Sequence, residues 1–413
     1  MQTSCDNHSH TLSVAQALQY LYSELQPING VEQLPIRNAL GRILAKDVYS
    51  PNNVPPHDHS AMDGYAVRSA DLPNSGKVQL QIVGTSWAGK PYTQMVEAQQ
   101  CVRIFTGGVI PLGSDTVIMQ EDVEIKDNIM ILATGHEPGQ HVGKMGEDLT
   151  IGQKVLVAGK RLTPADIGLL ASLGIPEVQV KRRLRIAFFS TGDELCPLGK
   201  QPQLGQIYDS NRYTLHSLLS YLGVEPIDMG IVPDNRQDIE NAFLLATKQA
   251  DVLITSGGVS VGDADYVIET LQRIGKVNFW KIAMKPGRPL TFGKIEQTTF
   301  FGLPGNPVSA MATFYQIVQP ALRQLMGQIP TTPLRFQVKC LSSLKKRPGR
   351  MEFQRGILTY DESGQLVVRS TGKQGSAMLS SMSQANCFII LPEESGNVMT
   401  GSTVLVEPFE EWI

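Results

Sequence analysis

The sequence predicts a multidomain α/β plus β protein, and three observations carry that expectation. Between residues 181 and 330, runs that are apolar throughout alternate with segments of helical spacing, the pattern of a parallel-rich sheet covered on both faces. Residues 51–145 and 334–413 instead hold short strand-like runs cut by Gly and Pro. With 413 residues, 42% of them apolar, the chain is long enough for several cores.

Along the chain, Thr11–Leu25 has helical spacing, with Val14, Leu18 and Leu21 on one stripe. Asn38–Asp47 continues that character. Pro51–Asp63 carries three prolines and reads as a loop. The runs 78–85, 101–105, 116–119 and 129–133 predict a small β domain. Leu162–Gly174 predicts a helix: Thr163 caps it, Pro164 opens it, Asp166 completes a capping box and Gly174 stops it. A basic run, Lys181 to Arg185, marks a domain edge.

Leu184–Ser190 then reads as a strand, followed by a helix capped by Asn211 that buries Leu215, Leu218, Leu219 and Leu222. Further strands are expected at 224–231, 251–255 and 279–283, with helices at 238–247, 266–274 and 308–325. Pro330 and Pro333 break the pattern. Strands at 336–340, 353–358, 366–369, 387–391 and 402–406 make a terminal β domain.

A net charge of −3 argues against a large basic face for nucleic acid. No apolar run approaches the length of a membrane span, and the polar N-terminus lacks a signal core. The five cysteines are scattered, without CxxC spacing, which fits a reducing cytoplasm.

Ligands of parallel sheets sit beyond the carboxyl ends of strands. Three polar, glycine-bearing segments occur there: Thr191 to Glu194, Thr255 to Gly262, and Gly302 to Pro307. The second can turn backbone amides toward an anion, with Ser256 and Ser260 as hydroxyl donors, yet it lacks the lysine of a P-loop. The third opens a helix whose free amides attract an anion, with Pro304 and Pro307 stiffening the turn. Asp193, Glu194, Asp234, Asp263 and Asp265 follow these strands. If the loops converge, they form an oxygen site for a hard cation, balanced by Lys281, Lys285 and Arg288. In the first half, Ser60 to Val67 (with Asp63), Thr106-Gly107-Gly108 and Gly146-Glu147-Asp148 look like the rim of a second binding surface.

Taken together, Ser60–Val67, Thr106-Gly107, Gly146–Asp148, Thr191–Leu195, Thr255–Gly262, Lys281–Pro289 and Gly302–Ser309 resemble the molybdopterin molybdenumtransferase family, bacterial relatives of the gephyrin C-terminal domain. The resemblance covers nearly the whole chain. It implies an L-shaped homodimer with four domains: a discontinuous N-terminal domain (1–50 and 146–180), a β-rich insertion (51–145), an α/β molybdopterin-binding domain (181–330) and a β-barrel-like C-terminal domain (331–413). It implies Mg²⁺-dependent insertion of molybdate into adenylylated molybdopterin, with release of AMP and molybdenum cofactor. A molybdopterin adenylyltransferase acts upstream, and transient contacts with other cofactor-biosynthesis proteins follow.

By the same resemblance, Asp63, Thr106, Asp148, Glu194, Asp234, Lys281 and Lys285 are catalytic. Ser256, Gly257, Gly258, Ser260, Pro304 and Pro307 bind the pterin-linked phosphates, and Asp265 with Glu194 holds Mg²⁺. Two positions depart from the pattern: His59 stands where relatives often carry Asn, and Lys144 with Met145 where they carry arginines. A scaffold protein and an adenylyltransferase remain rival readings, the latter because it shares the α/β domain and a Gly-Gly-Val-Ser segment.

Overall fold

The computed structural model describes residues 11–258 and 266–409. The chain leaves its N-terminal module and returns to it. Val31–Pro35 pairs antiparallel with Glu177–Lys181, and Val48–Tyr49 pairs with Lys154–Leu156. The N-terminal domain is therefore discontinuous, and residues between its halves form a separate six-stranded sheet spanning Gly64 to Ala133.

The first helix, α1 (Val14–Glu24), starts on a capping box between Ser13 and Gln16. Its buried Val14, Ala17 and Leu21 join the core of the α/β sheet. The expected box of Thr163 and Asp166 opens α2 (Pro164–Ser172). Asn38–Asp47 is not helical. A 3₁₀ turn at Ile36–Asn38 ends before Gly41, whose φ of +72° suits glycine. Ile43 and Leu44 are then extended, because Lys181 and Lys160 supply their backbone partners.

The α/β sheet comprises β1 (Thr11–Leu12), β2 (Arg185–Thr191), β3 (Glu225–Val232), β4 (Val252–Ser256), β5 (Lys276–Ile282), β6 (Pro289–Ile295) and β7 (Thr298–Leu303), in spatial order β1-β5-β6-β7-β4-β2-β3. Strands β3, β2, β4 and β7 run parallel. Strand β5 points the same way as this parallel set and pairs parallel with β1, but β6, a strand not expected from the sequence, runs antiparallel between β5 and β7. The links are the reason: a parallel return needs a crossover of a dozen or more residues, and neither 283–288 nor 296–297 is long enough.

Helix α3 (Ser210–Leu222) buries the four predicted leucines, but its cap is Asp209, which accepts from Arg212 N. Asn211 lies inside the first turn. Helices α4 (Arg236–Thr247) and α5 (Tyr266–Ile274) cover the other face through Ile239, Phe243, Val267 and Leu271. The predicted helix 308–325 is α6 (Pro307–Thr313), a π turn at Phe314–Val318, and α7 (Gln319–Leu325). Pro320 has no N–H to donate, and the wider turn absorbs that loss.

In the C-terminal domain, Met351–Tyr360 pairs with both Leu366–Ser370 and Cys387–Leu391, which closes a five-stranded barrel-like sheet. Phe353, Phe388 and Phe409 pack into the same core as the α/β sheet, so the two domains share one interior. Among the described residues no helix is long and apolar enough to cross a membrane.

Candidate functional site

The chain passes from β2 outward to β3 and returns on the other side to β4, so the topological switch lies between β2 and β4. A crevice is expected there. A cleft of about 790 Å³ opens at that point, lined by Thr191, Glu194, Asp234, Ser256, Pro304 and Pro307 among others. The described parts of the three segments, residues 191–194, 255–258 and 302–307, converge here, and residues 259–262 lie outside the described residues.

Close packing explains the glycines. Gly257 has φ +90°, and a Cβ there would lie 2.5 Å from the Thr191 carbonyl oxygen. A Cβ on Gly258, with φ +63°, would lie 2.5 Å from Val267 Cγ2. Both must be glycine for the β4 loop to fold under β2. Gly257 in turn approaches Gly305, which brings the second and third loops together. Ser256 is buried and its Oγ accepts a hydrogen bond of 2.7 Å from Asn211 Nδ2.

Carboxylates line the opposite wall. Burial first, and then the charges of Asp193 and Glu194, push the Asp234 carboxyl above its ordinary range, against a long hydrogen bond from Thr191. Glu194 folds back over Gly192, where a Cβ would lie 2.5 Å from its Oε2. These are oxygen donors of the kind a hard cation takes, and the raised Asp234 marks negative charge that a cation would relieve. Among the described residues no group of three or more ligating side chains is close enough to hold a metal ion. Ser260 and Asp265 lie outside the described residues.

A second basin, about 400 Å³, sits where the C-terminal domain meets the end of β5. Lys285, Glu352, Gln354, Arg355 and Gln374 are among the residues that line it. Arg355 is 1% exposed, and burial pulls its guanidinium down to about 10. No carboxylate among the described residues pairs with it. It donates to Ser381 Oγ at 3.0 Å and to the Gly375 carbonyl at 3.0 Å. A buried guanidinium without a counter-ion is a standing demand for an anion. Lys285 pairs with the buried Glu352 at 3.1 Å, so its charge is already partly answered. Lys281 does not line either cavity.

The insertion carries the remaining predicted residues. Thr106 donates through both its backbone N and its Oγ1 to Asp63 Oδ1, each at 2.8 Å, and these bonds hold the Asp63 carboxyl below its ordinary range. Beside them Trp87 stacks on Phe105 with centroids 4.1 Å apart, and Arg103 lies over Phe105 and Tyr65. Asp148 is exposed, and Lys144, the expected point charge near it, pairs with Asp58 at 2.9 Å. Asp63, Thr106 and Asp148 do not line the cleft of their own chain.

Sequence reasoning missed Arg355 and Ser381 and read Asn211 only as a helix cap. An arginine inside the strand 351–360 was a usable signal for the first, whereas Ser381 announces nothing without its partner.

A switch-point cleft rich in turned glycines, beside a basin with an unpaired buried cation, defines a class: an α/β enzyme for a phosphorylated substrate and a second anion. Three family models match in series. They are the MoeA N-terminal region (domain I and II) over 12–174, a probable molybdopterin binding domain over 187–324, and the MoeA C-terminal region (domain IV) over 337–409. The chain belongs to the molybdopterin molybdenumtransferase (MoeA) family. It is 48% identical to the molybdopterin molybdenumtransferase of Haemophilus influenzae, over 96% of this chain and 98% of that one. It is 35% identical to gephyrin of Dictyostelium discoideum, over 95% of this chain and 61% of gephyrin. A crystal structure of the molybdopterin biosynthesis moeA protein from Pyrococcus horikoshii matches with a TM-score of 0.84 at 29% identity, covering 97% of this chain and all of that one.

Proposed function

We propose that the chain inserts molybdate into adenylylated molybdopterin, releasing AMP and molybdenum cofactor, and that its two cavities divide the work. The strand-end cleft takes the phosphates and the Arg355 basin takes the oxyanion. One observation carries this division: a single segment both receives the Arg355 guanidinium and contributes lining residues to the cleft. Gly375 and Ser381 receive Arg355, while Ala377 and Leu379, between them in sequence, line the cleft.

Ser256, Gly257, Gly258 and Ser260 hold the pterin-linked phosphates, and Pro304 and Pro307 fix the facing turn. Glu194 and Asp265 hold Mg²⁺, which when bound supplies charge neutralisation for phosphoanhydride oxygens. Asp234 adds a further carboxylate to the cleft wall, its pKa raised by burial and by the charges of Asp193 and Glu194. Arg355 and Lys285 orient molybdate, a dianion, by charge-assisted hydrogen bonds, and Lys281 adds positive charge near the end of β5.

Asp63, Thr106 and Asp148 reach the cleft from the other subunit of a homodimer, where the Asp63 carboxylate, ionised and anchored by Thr106, orients the dithiolene end. The upstream molybdopterin adenylyltransferase supplies the substrate. The test is purified protein with adenylylated molybdopterin, molybdate and Mg²⁺, with AMP and active cofactor both measured. Their appearance together is expected. ATP consumption with free molybdopterin, and no AMP from the adenylylated substrate, overturns the reading.

A further inference from the structure

Asn211 takes no part in capping α3, since Asp209 does that. Its side chain crosses the cleft floor instead. Nδ2 donates to Ser256 Oγ and to the Gly305 carbonyl, both at 2.7 Å. The two partners belong to different loops, one at the end of β4 and one between β7 and α6. The orientation of the amide is fixed by chemistry, because the Gly305 carbonyl only accepts and so must face nitrogen.

The consequence falls on Ser256. A hydroxyl that accepts from Asn211 keeps its own proton for another acceptor. Ser256 is 2% exposed, lines the cleft, and finds no such acceptor among the described residues. We infer that Asn211 is a positioning residue: it spends both amide protons to make Ser256 a donor into the cleft and to set the Gly305 turn at a fixed distance from it. The ligand chemistry this suits is an anionic phosphate oxygen. The inference rests on the cleft being the phosphate site proposed above.

The substitution Asn211→Asp keeps the shape and reverses the bond. A carboxylate accepts the Ser256 proton and repels the Gly305 carbonyl, so the donor is withdrawn from the cleft. The experiment is AMP binding by calorimetry, with Mg²⁺, to the full-length protein and its N211D, N211A, S256A and N211A/S256A variants. Melting temperature serves as the fold control, and Asn211→Ser is the substitute if N211A does not fold. S256A is expected to weaken AMP about tenfold, as loss of one hydrogen bond to a charged group does, and N211D by at least as much. In the S256A background, N211A should cost clearly less than it does alone, because its main route of action is gone. The molybdate concentration giving half-maximal turnover should stay put in N211A. If S256A weakens AMP but N211D binds as wild type, or the single effects multiply, this inference falls and the phosphate site stands. If S256A itself leaves AMP binding unchanged, the phosphate site falls with it.

Discussion

The cleft at the strand ends and the rim of the insertion differ in how complete they are. In the cleft, three loops far apart in sequence are locked together by glycines that tolerate no Cβ and by an asparagine that ties two of them. On the rim, the Asp63 carboxylate takes its hydrogen bonds from Thr106, and Asp148 is exposed. The cleft is thus assembled within one folded chain, whereas Asp63, Thr106 and Asp148 lie outside its lining. A second contrast lies inside the C-terminal domain. Lys346 and Arg355 are both buried cations, but Lys346 is satisfied by three backbone carbonyls, of Arg347, Glu393 and Ser395. Arg355 keeps a cavity beside it. Burial alone does not separate the two charges; the cavity beside Arg355 does.

The sharpest way to break these contrasts is Arg355→Met. Cofactor formation should fall by about 10²–10³-fold at limiting molybdate, the scale of removing a preorganised donor, while AMP binding holds. Loss of AMP binding together with molybdate use would dissolve the division between the two cavities. Mixed dimers come next. D63N and E194Q homodimers should each be nearly inactive, and mixing them should restore cofactor formation, since one cleft in each heterodimer draws both functional residues. No recovery in a verified heterodimer places Asp63 outside the partner's cleft.

Lys346→Met should act on stability instead, costing about 3 kcal/mol by orphaning three carbonyls, with turnover per folded molecule unchanged. A folded K346M protein without activity erases the distinction from Arg355. Thr163→Ala, at the cap of α2, should cost about 1 kcal/mol in urea unfolding and leave activity alone.

The smallest effect concerns Asp234. Its folded pKa is raised, so stability falls as pH climbs from the ordinary value of 3.8 to the folded value, the cost being absent below that window and complete above it. Asp234→Asn should therefore unfold at higher urea than wild type near neutral pH and coincide with it in acid. A lower midpoint at neutral pH would mean that Asp234 is stabilised in its ionised state after all.

Local chemistry was legible in the residues. The box of Thr163 and Asp166, the leucine face of α3 and the strand-end glycine segments each depend on neighbours a few positions away. Asn211 looked like the cap because Asn is a good cap, but Asp209 two residues earlier wins it through Arg212 N and a Ser190 hydrogen bond. Asn38–Asp47 looked helical because its apolar spacing allowed it, and lost to backbone partners supplied from residues 160 and 181.

By itself, then, the sequence determined most of the local elements, the order of the modules and the three strand-end segments that meet at the cleft, because capping, periodicity and glycine conformation are short-range properties. Only the tertiary structure decided that Arg355 is buried without a counter-ion, that Asn211 spans two loops, and that Asp63 and Thr106 stay away from their own cleft. Those facts depend on which distant segments pack together, and the charge on a side chain acquires its meaning only from the partners that packing leaves out.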